Sequence, residues 1–230
     1  MTGGLRRGLA ATGLAMCIAL FASLGVWQVN RLAWKTQLIA TVQARTTADP
    51  VDAPAPAAWP NVTQTNSEYS RVTVTGTYNS DAEVLVQAVT DLGPGFWVVT
   101  PLKTEAGWTV LINRGFVGTD QRDPTLRSHP TGAQTITGLL RLSQPGGAFL
   151  RANDPFQNRW YSRDTAAIAI AQNLGTVAPY FIDANKGDPL PVGGLTIVTF
   201  RNAHLSYALT WFALAFGLTI AGVFTLRRTT

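Results

Sequence analysis

LAATGLAMCIALFASLGVWQV, residues 9–29, decides how the chain is read, because a second stretch of the same kind, LSYALTWFALAFGLTIAGVFTL, fills residues 205–226. Each runs to about 20 residues, the length an α-helix needs to cross a hydrocarbon core of ~30 Å. Neither carries Asp, Glu, Lys or Arg in its interior. A much longer polar stretch with strand-like alternation and turn signals separates them. The layout predicts a membrane hairpin whose two legs are joined by a folded extramembrane domain.

Charge orients the hairpin. Arg6 and Arg7 precede the first leg, and Arg227 and Arg228 follow the second. Basic flanks stay on the cytoplasmic side, and a long translocated domain crosses largely regardless of its charge. Both termini are therefore expected in the cytoplasm, although Arg31, Lys35 and Arg201 lie on the far side. A cleaved signal peptide is the competing reading, with small residues at Ala22-Ser23-Leu24-Gly25. The first apolar run is longer than a signal-peptide core, however, and amphipathic sequence continues past it. Two adjacent arginines are too common to argue for a twin-arginine signal.

Of the 230 residues, 46% are hydrophobic, and removing the two legs leaves about one domain. The net charge of +5 and pI of about 9.8 invite a nucleic-acid reading. Several of the cations sit at membrane edges instead, and no base-reading motif is present, so no nucleic-acid partner is expected. The single cysteine, Cys17, lies in the first leg and reads as an apolar filler. With one cysteine there is no intramolecular disulfide, no CxxC redox pair and no CxxCH haem attachment.

Within the central stretch, DPVDAPAPAAWPNVTQT (residues 49–65) reads as an extended linker. Strands are predicted over residues 69–76, 83–88, 96–103, 108–117, 134–142, 177–184 and 195–200, with a hairpin loop at 104–107. DTAAIAIAQNL (164–174) is Ala-rich, begins with a good N-cap in Asp164 and is followed by Gly175 as a stop, so it reads as a short helix. The fold class is a membrane protein: two transmembrane α-helices, N- and C-terminal, flank a mainly antiparallel β extracytoplasmic domain with one short helix. The expected division is a cytoplasmic tail (1–8), a first spanning helix (9–30), a helical extension and Pro/Ala-rich linker (31–65), the β-rich domain (66–200), a second spanning helix (201–226) and a second cytoplasmic tail (227–230).

Small residues recur every four positions in the legs: Ala11, Ala15, Ala19 and Ser23 in the first, Ala213, Gly217 and Ala221 in the second. Such stripes permit close helix packing, and in Ala-rich segments they also arise by chance. At the outer ends, Trp27, Arg31 and Trp34 are spaced to share a face, as are His204, Tyr207 and Trp211, with Arg201 just ahead. Two readings remain open. One is an aromatic belt with snorkelling cations at the membrane surface. The other is an interfacial pocket in which a neutral imidazole ligates haem iron and cations pair with propionates.

Catalysis is not expected. The histidines are His129, in the loop-like DPTLRSHP, and His204; no GxSxG, HExxH or phosphate-binding loop occurs. Asp154, Asp164 and Asp183 read as caps near turns. Arg114, in Asn113-Arg114-Gly115 at an expected strand end, reads either as a partner anchor or as half of a structural ion pair.

LGVWQVNRLAWK (24–35), FWVVTPL (96–102), VLINRGFV (110–117), NRWYSRD (158–164), PYFIDAN (179–185) and FRNAHLSYALTWFALA (200–215) resemble, in order and across nearly the whole chain, the Surfeit locus protein 1 family. The resemblance implies two membrane helices with a domain on the outer side, and a role as assembly factor for haem–copper terminal oxidases. It also implies non-covalent, transient binding of haem a and its supply to oxidase subunit I. The family's haem-associated histidine falls on His204, the implied axial ligand of the iron. Arg31, Arg201, Trp27, Tyr207 and Trp211 are added as the expected surroundings of that haem. With so few residues before Leu9, a bacterial inner membrane is expected, with the central domain periplasmic. The alternative is a haem-independent scaffold that holds subunit I, or a haem a synthase, during assembly.

Overall fold

The computed structural model describes residues 2–146, 151–185, 189–196 and 200–229. The chain divides into two compact units, residues 1–41 with 199–230, and residues 42–198.

The first unit is helical. Helix α1 (Thr2–Thr47) runs 46 residues without interruption, and α3 (His204–Thr229) runs 26. Both are long and apolar enough to cross a membrane, and only 6% and 17% of their most apolar windows are buried in the protein. They are not the core helices of a soluble domain. Leu14 meets Gly222, Phe21 stacks on Trp211 with centroids 5.6 Å apart, and Gln28 bonds His204, so the helices pair antiparallel.

That seam is not the one the small-residue stripes predict. Ala11, Ala15, Ala19 and Ser23 are exposed, as are Ala213, Gly217 and Ala221. The covered positions follow a three-and-four spacing instead: Leu14, Ile18, Phe21, Gly25, Gln28, Leu32 and Lys35 on α1, and His204, Ala208, Trp211, Ala215, Leu218 and Gly222 on α3. A 3.5-residue period keeps one seam facing the partner over many turns, whereas a strict four-residue step drifts around the helix. The small residues that matter are Gly25, where a Cβ would stand 2.5 Å from the Phe212 ring, and Gly222, where one would stand 2.6 Å from Leu14.

The second unit is a β-domain of seven strands: β1 (Val51–Asp52), β2 (Arg71–Tyr78), β3 (Val84–Thr90), β4 (Gly93–Thr104), β5 (Thr109–Gly118), β6 (Ala133–Leu142) and β7 (Val177–Ala184). The sheet order is β1-β2-β6-β7-β5-β4-β3, and a further β2–β4 pairing closes the five strands β2, β6, β7, β5 and β4 into a barrel. Most pairings are antiparallel, as expected, but β1–β2 and β5–β7 are parallel. The predicted strand at 195–200 runs onto residues outside the described set, and Leu195 and Thr196 are not in a strand.

Strand β5 is buried at nine successive positions, Thr109 to Val117. Val110 and Ile112 join Leu102, Leu140, Tyr180 and Ile182 in one core; Leu111 joins Val84, Val86, Trp160 and Phe181 in another. The second core lies under helix α2 (Thr165–Ala171), whose Ile168 is fully buried. Asp164 caps α2 as expected, accepting from the backbone N–H groups of Ala166 and Ala167. Asn173, with φ +51°, turns the chain two residues before the anticipated Gly175 stop.

Residues 49–65 are not a free linker. β1 lies within them, Ala53 is in the barrel core, and residues 56–61 form a 3₁₀ turn whose Trp59 packs edge-on to Trp108. Tyr180 donates its phenolic hydrogen to the Pro54 carbonyl at 2.7 Å, and burial pushes its pKa up. Proline-rich composition is read as extended because proline cannot donate to a ladder, yet its carbonyls still accept.

Carboxylates with buried side chains bind the barrel, Asp183, Glu83 and Glu68 among them. Asp183 on β7 accepts from Asn113 (2.7 Å), Arg141 (3.0 Å), Arg163 (3.2 Å) and Thr196 (2.8 Å). It is a hub rather than a turn cap. Asp154 does cap its turn, accepting from the Gln157 N–H. Burial lowers the pKa of Arg163, and repulsion from Arg141 adds to this, outweighing Asp183. In Arg141 burial also works against the charge, but Asp183 and Glu68 together raise its pKa. Glu83 is the second hub, accepting from Thr100, Arg114 and Arg127. Arg114 is thus half of a structural ion pair, and it sits mid-strand at a bulge: Val98 pairs Gly115 and Val99 pairs Asn113, leaving Arg114 between. The bulge needs glycine next to it, since Gly115 has φ +141° and a Cβ there would stand 2.5 Å from the Val192 backbone.

Removing one partner from a buried ionic cluster costs about 3–5 kcal/mol, because the remaining charges stay buried unpaired. Asp183→Ala is expected to lose stability of that order, read as an earlier denaturant midpoint in detergent. Asp164→Ala, which removes a cap, is expected to cost only about 1 kcal/mol.

Candidate functional site

His204 opens helix α3 and is half-buried. Its Nδ1 stands 2.7 Å from Oε1 of Gln28, across the seam. Gln28 is 8% exposed, although glutamine is mostly an exposed residue. It reaches the seam because it follows Phe21 and Gly25 at four- and three-residue steps. About two turns further along α1, Thr36 accepts a long contact, 3.4 Å, from Nδ2 of Asn202, whose Oδ1 is buried without a partner among the described residues. Lys35 places its ammonium 5.3 Å from the Phe200 ring centroid.

Of the residues singled out in the sequence, the structure brings His204 and Trp211 onto one seam, two turns apart. Tyr207, expected beside them, is 56% exposed and points elsewhere on α3. Trp27, Arg31 and Trp34 do share a face, with the Arg31 guanidinium 4.0 Å above the Trp34 ring. That face is exposed, and Trp27 is 56% accessible. It does not converge on His204, because Gln28 occupies the covered face between them. Arg201 is exposed, three residues before His204. Trp27, Arg31, Trp34 and Tyr207 are therefore exposed on the helices, while Gln28, His204 and Asn202 are at least partly covered. Gln28 was missed because a glutamine carries no chemical signal of its own; the three-and-four spacing of its neighbours would have found it.

A haem has been implied for this region, and the donor set fits it in one respect. His204 is a single imidazole with one nitrogen engaged and the other uncommitted in any described hydrogen bond. Among the described residues no three His, Cys, Asp or Glu side chains gather as a metal cage, so a ligand here would be held by one protein donor. The exposed cations Arg31 and Arg201 are within the same unit. The clefts of the β-domain, of ≈ 350 and ≈ 240 Å³, are lined by other residues, including Tyr78 with Arg114 and Trp97 with Arg163. His129 is exposed, with Nε2 2.7 Å from the Pro124 carbonyl oxygen, and has no catalytic neighbour there.

Two exposed apolar helices at the termini, a closed β-barrel between them in sequence, and one ordered imidazole at the start of the last helix define a class compatible with the membrane. A family model described as SURF1 family matches residues 15–216. Surfeit locus protein 1 of Homo sapiens is 35% identical over 214 residues, covering 84% of this chain and 69% of that protein. That of Mus musculus is 34% identical over 212 residues (83% and 67%), and a SURF1-like protein of Monosiga brevicollis is 35% identical over 223 (89% and 82%). The chain belongs to the SURF1 family.

Gly25→Leu is expected to prise the seam open at Phe212 and weaken the Gln28–His204 contact, whereas Gly217→Leu, which has open space around it, is expected to be silent. In a Cys17→Ser background, nitroxides on exposed positions 15 and 221 report the change as a longer interhelix distance in the first variant only.

Proposed function

We propose that this protein is an assembly factor for a haem–copper terminal oxidase, holding haem a transiently as cargo and passing it to oxidase subunit I. The observation that carries the reading is the half-buried His204, one ring nitrogen tied to α1 and the other left to bind. A bound haem would supply an iron centre, which the His204 imidazole would hold as the single protein donor, leaving a hold weak enough for a carrier to release. The farnesyl tail of haem a suits a site between apolar helices beside lipid, and Arg31 and Arg201 are the cations available to its propionates. Because Arg31 is on the exposed face with Trp34, its part is to meet a propionate at the membrane surface rather than inside the seam.

The localisation follows the same reading: a bacterial inner membrane, both termini cytoplasmic and the β-domain periplasmic, with subunit I, and a haem a synthase as donor, for partners. The exposed Trp27–Arg31–Trp34 face supports a second reading, a haem-independent scaffold that grips subunit I.

Protein purified in detergent from cells that synthesise haem a is expected to show a haem a absorption spectrum. His204→Ala is expected to lose it while keeping its helical circular dichroism and membrane insertion. Unchanged haem content in that variant would reject the carrier reading. Retained crosslinking of the haem-free variant to nascent subunit I would favour the scaffold.

A further inference from the structure

We infer that Gln28 is a positioning residue for His204: its side-chain oxygen holds the imidazole as the Nδ1–H tautomer and thereby leaves the Nε2 lone pair free to bind iron. The inference deepens the haem-carrier reading and rests on it for the identity of the ligand.

A neutral imidazole has one N–H and one lone pair, and which nitrogen carries which is set by the partner of the other. An amide oxygen only accepts. With Oε1 of Gln28 2.7 Å from Nδ1, the proton belongs on Nδ1 and the lone pair on Nε2. The seam makes this a fixed arrangement. Gln28 is buried, and its backbone is held by Gly25, packed under Phe212 one turn away. A buried amide has no water to turn to, so losing its imidazole partner would leave the oxygen unsatisfied. The pairing commits Nδ1 to α1, and Nε2 enters no described hydrogen bond. Histidines that ligate metals commonly donate their other N–H to a carbonyl or carboxylate, which fixes the ring and raises the basicity of the ligating nitrogen. Here that outer partner is in place, supplied by the other helix.

Among the described residues, Gln28 is the one side chain that hydrogen-bonds the His204 ring. Asn202 turns its amide nitrogen to Thr36, and Lys35 lies over Phe200. Trp211 is committed to Phe21.

The test uses the full chain in detergent, labelled with ¹⁵N-histidine; His204 and His129 are the sole histidines, and His129→Gln assigns them. Spectra are taken without haem, at a pH well above the ordinary histidine value of about 6.5. Wild type is expected to show His204 as the Nδ1–H tautomer. Gln28→Leu, of similar bulk and without an acceptor, is expected to lose that preference, and Gln28→Glu, which keeps an oxygen at the same reach, is expected to retain it. Titration with haem a is expected to give affinity about 10–100-fold weaker for Gln28→Leu, the usual cost of losing an outer partner of a metal ligand. Gln28→Glu is expected to restore wild-type affinity. An Nε2–H tautomer in wild type, or a Gln28→Leu protein with the wild-type tautomer and haem affinity, overturns the inference. If wild type takes up no haem at all, the carrier reading fails, and the tautomer spectra alone decide the role of Gln28.

Discussion

The β-domain depends on one carboxylate. Asp183 takes four hydrogen bonds from four places: Asn113 on β5, Arg141 on β6, Arg163 ahead of α2, and Thr196 after β7. An ionised carboxylate offers about four lone-pair sites, and all are used. β5 and β7 run parallel, a pairing no hairpin can enforce, and Asp183–Asn113 lies in register between them. A purely apolar contact there would tolerate a slide of the strands; two fixed guanidinium groups and an amide do not. Glu83 repeats the device on the other side, where it gathers Arg114 and Arg127 and ties the bulged β5 to the loop beyond it. Arg127 adds three backbone carbonyls of residues 121–123.

Closing the barrel forces β5 to bury both faces. Its inward residues fill the barrel, and its outward residues meet Trp160, Phe181 and α2. A strand covered on both faces loses the apolar–polar alternation of a half-exposed one. That is why VLINRGFV reads as strand without revealing which side is in, and why a polar triplet, Asn113-Arg114-Gly115, sits inside it with every group partnered or turned by the bulge.

Most of the architecture was legible. The two apolar segments, the β-strands from β2 to β7, the 104–107 hairpin and the capped α2 follow from length, alternation and turn residues, and the structure has them within a few residues. What escaped was relational. Strand order and the parallel β5–β7 pair connect residues about 70 positions apart, and no local pattern records them. The 49–65 segment hid a strand and a core tryptophan because proline composition dominates its reading. In the helices, Ala-rich sequence offered several small-residue stripes, and the four-residue one was the wrong choice; the heptad through Leu14, Phe21, Gly25 and Gln28 was present but less conspicuous. His204 was legible as a chemical singularity. Its partner was not, and of the residues grouped with it Trp211 shares its seam while Trp27, Arg31 and Tyr207 are exposed.

The contact between Gln28 and His204 spans 176 residues of sequence. Synthesis runs from the first helix through the barrel to the last, so the imbedded imidazole acquires its companion only after everything between has been made. A chain cut short anywhere in the barrel, or lacking the final helix, holds the glutamine and no ring for it to meet. Competence at this spot is thus a property of the finished polypeptide alone. Frameshift and nonsense lesions ahead of His204 would abolish it outright instead of grading it.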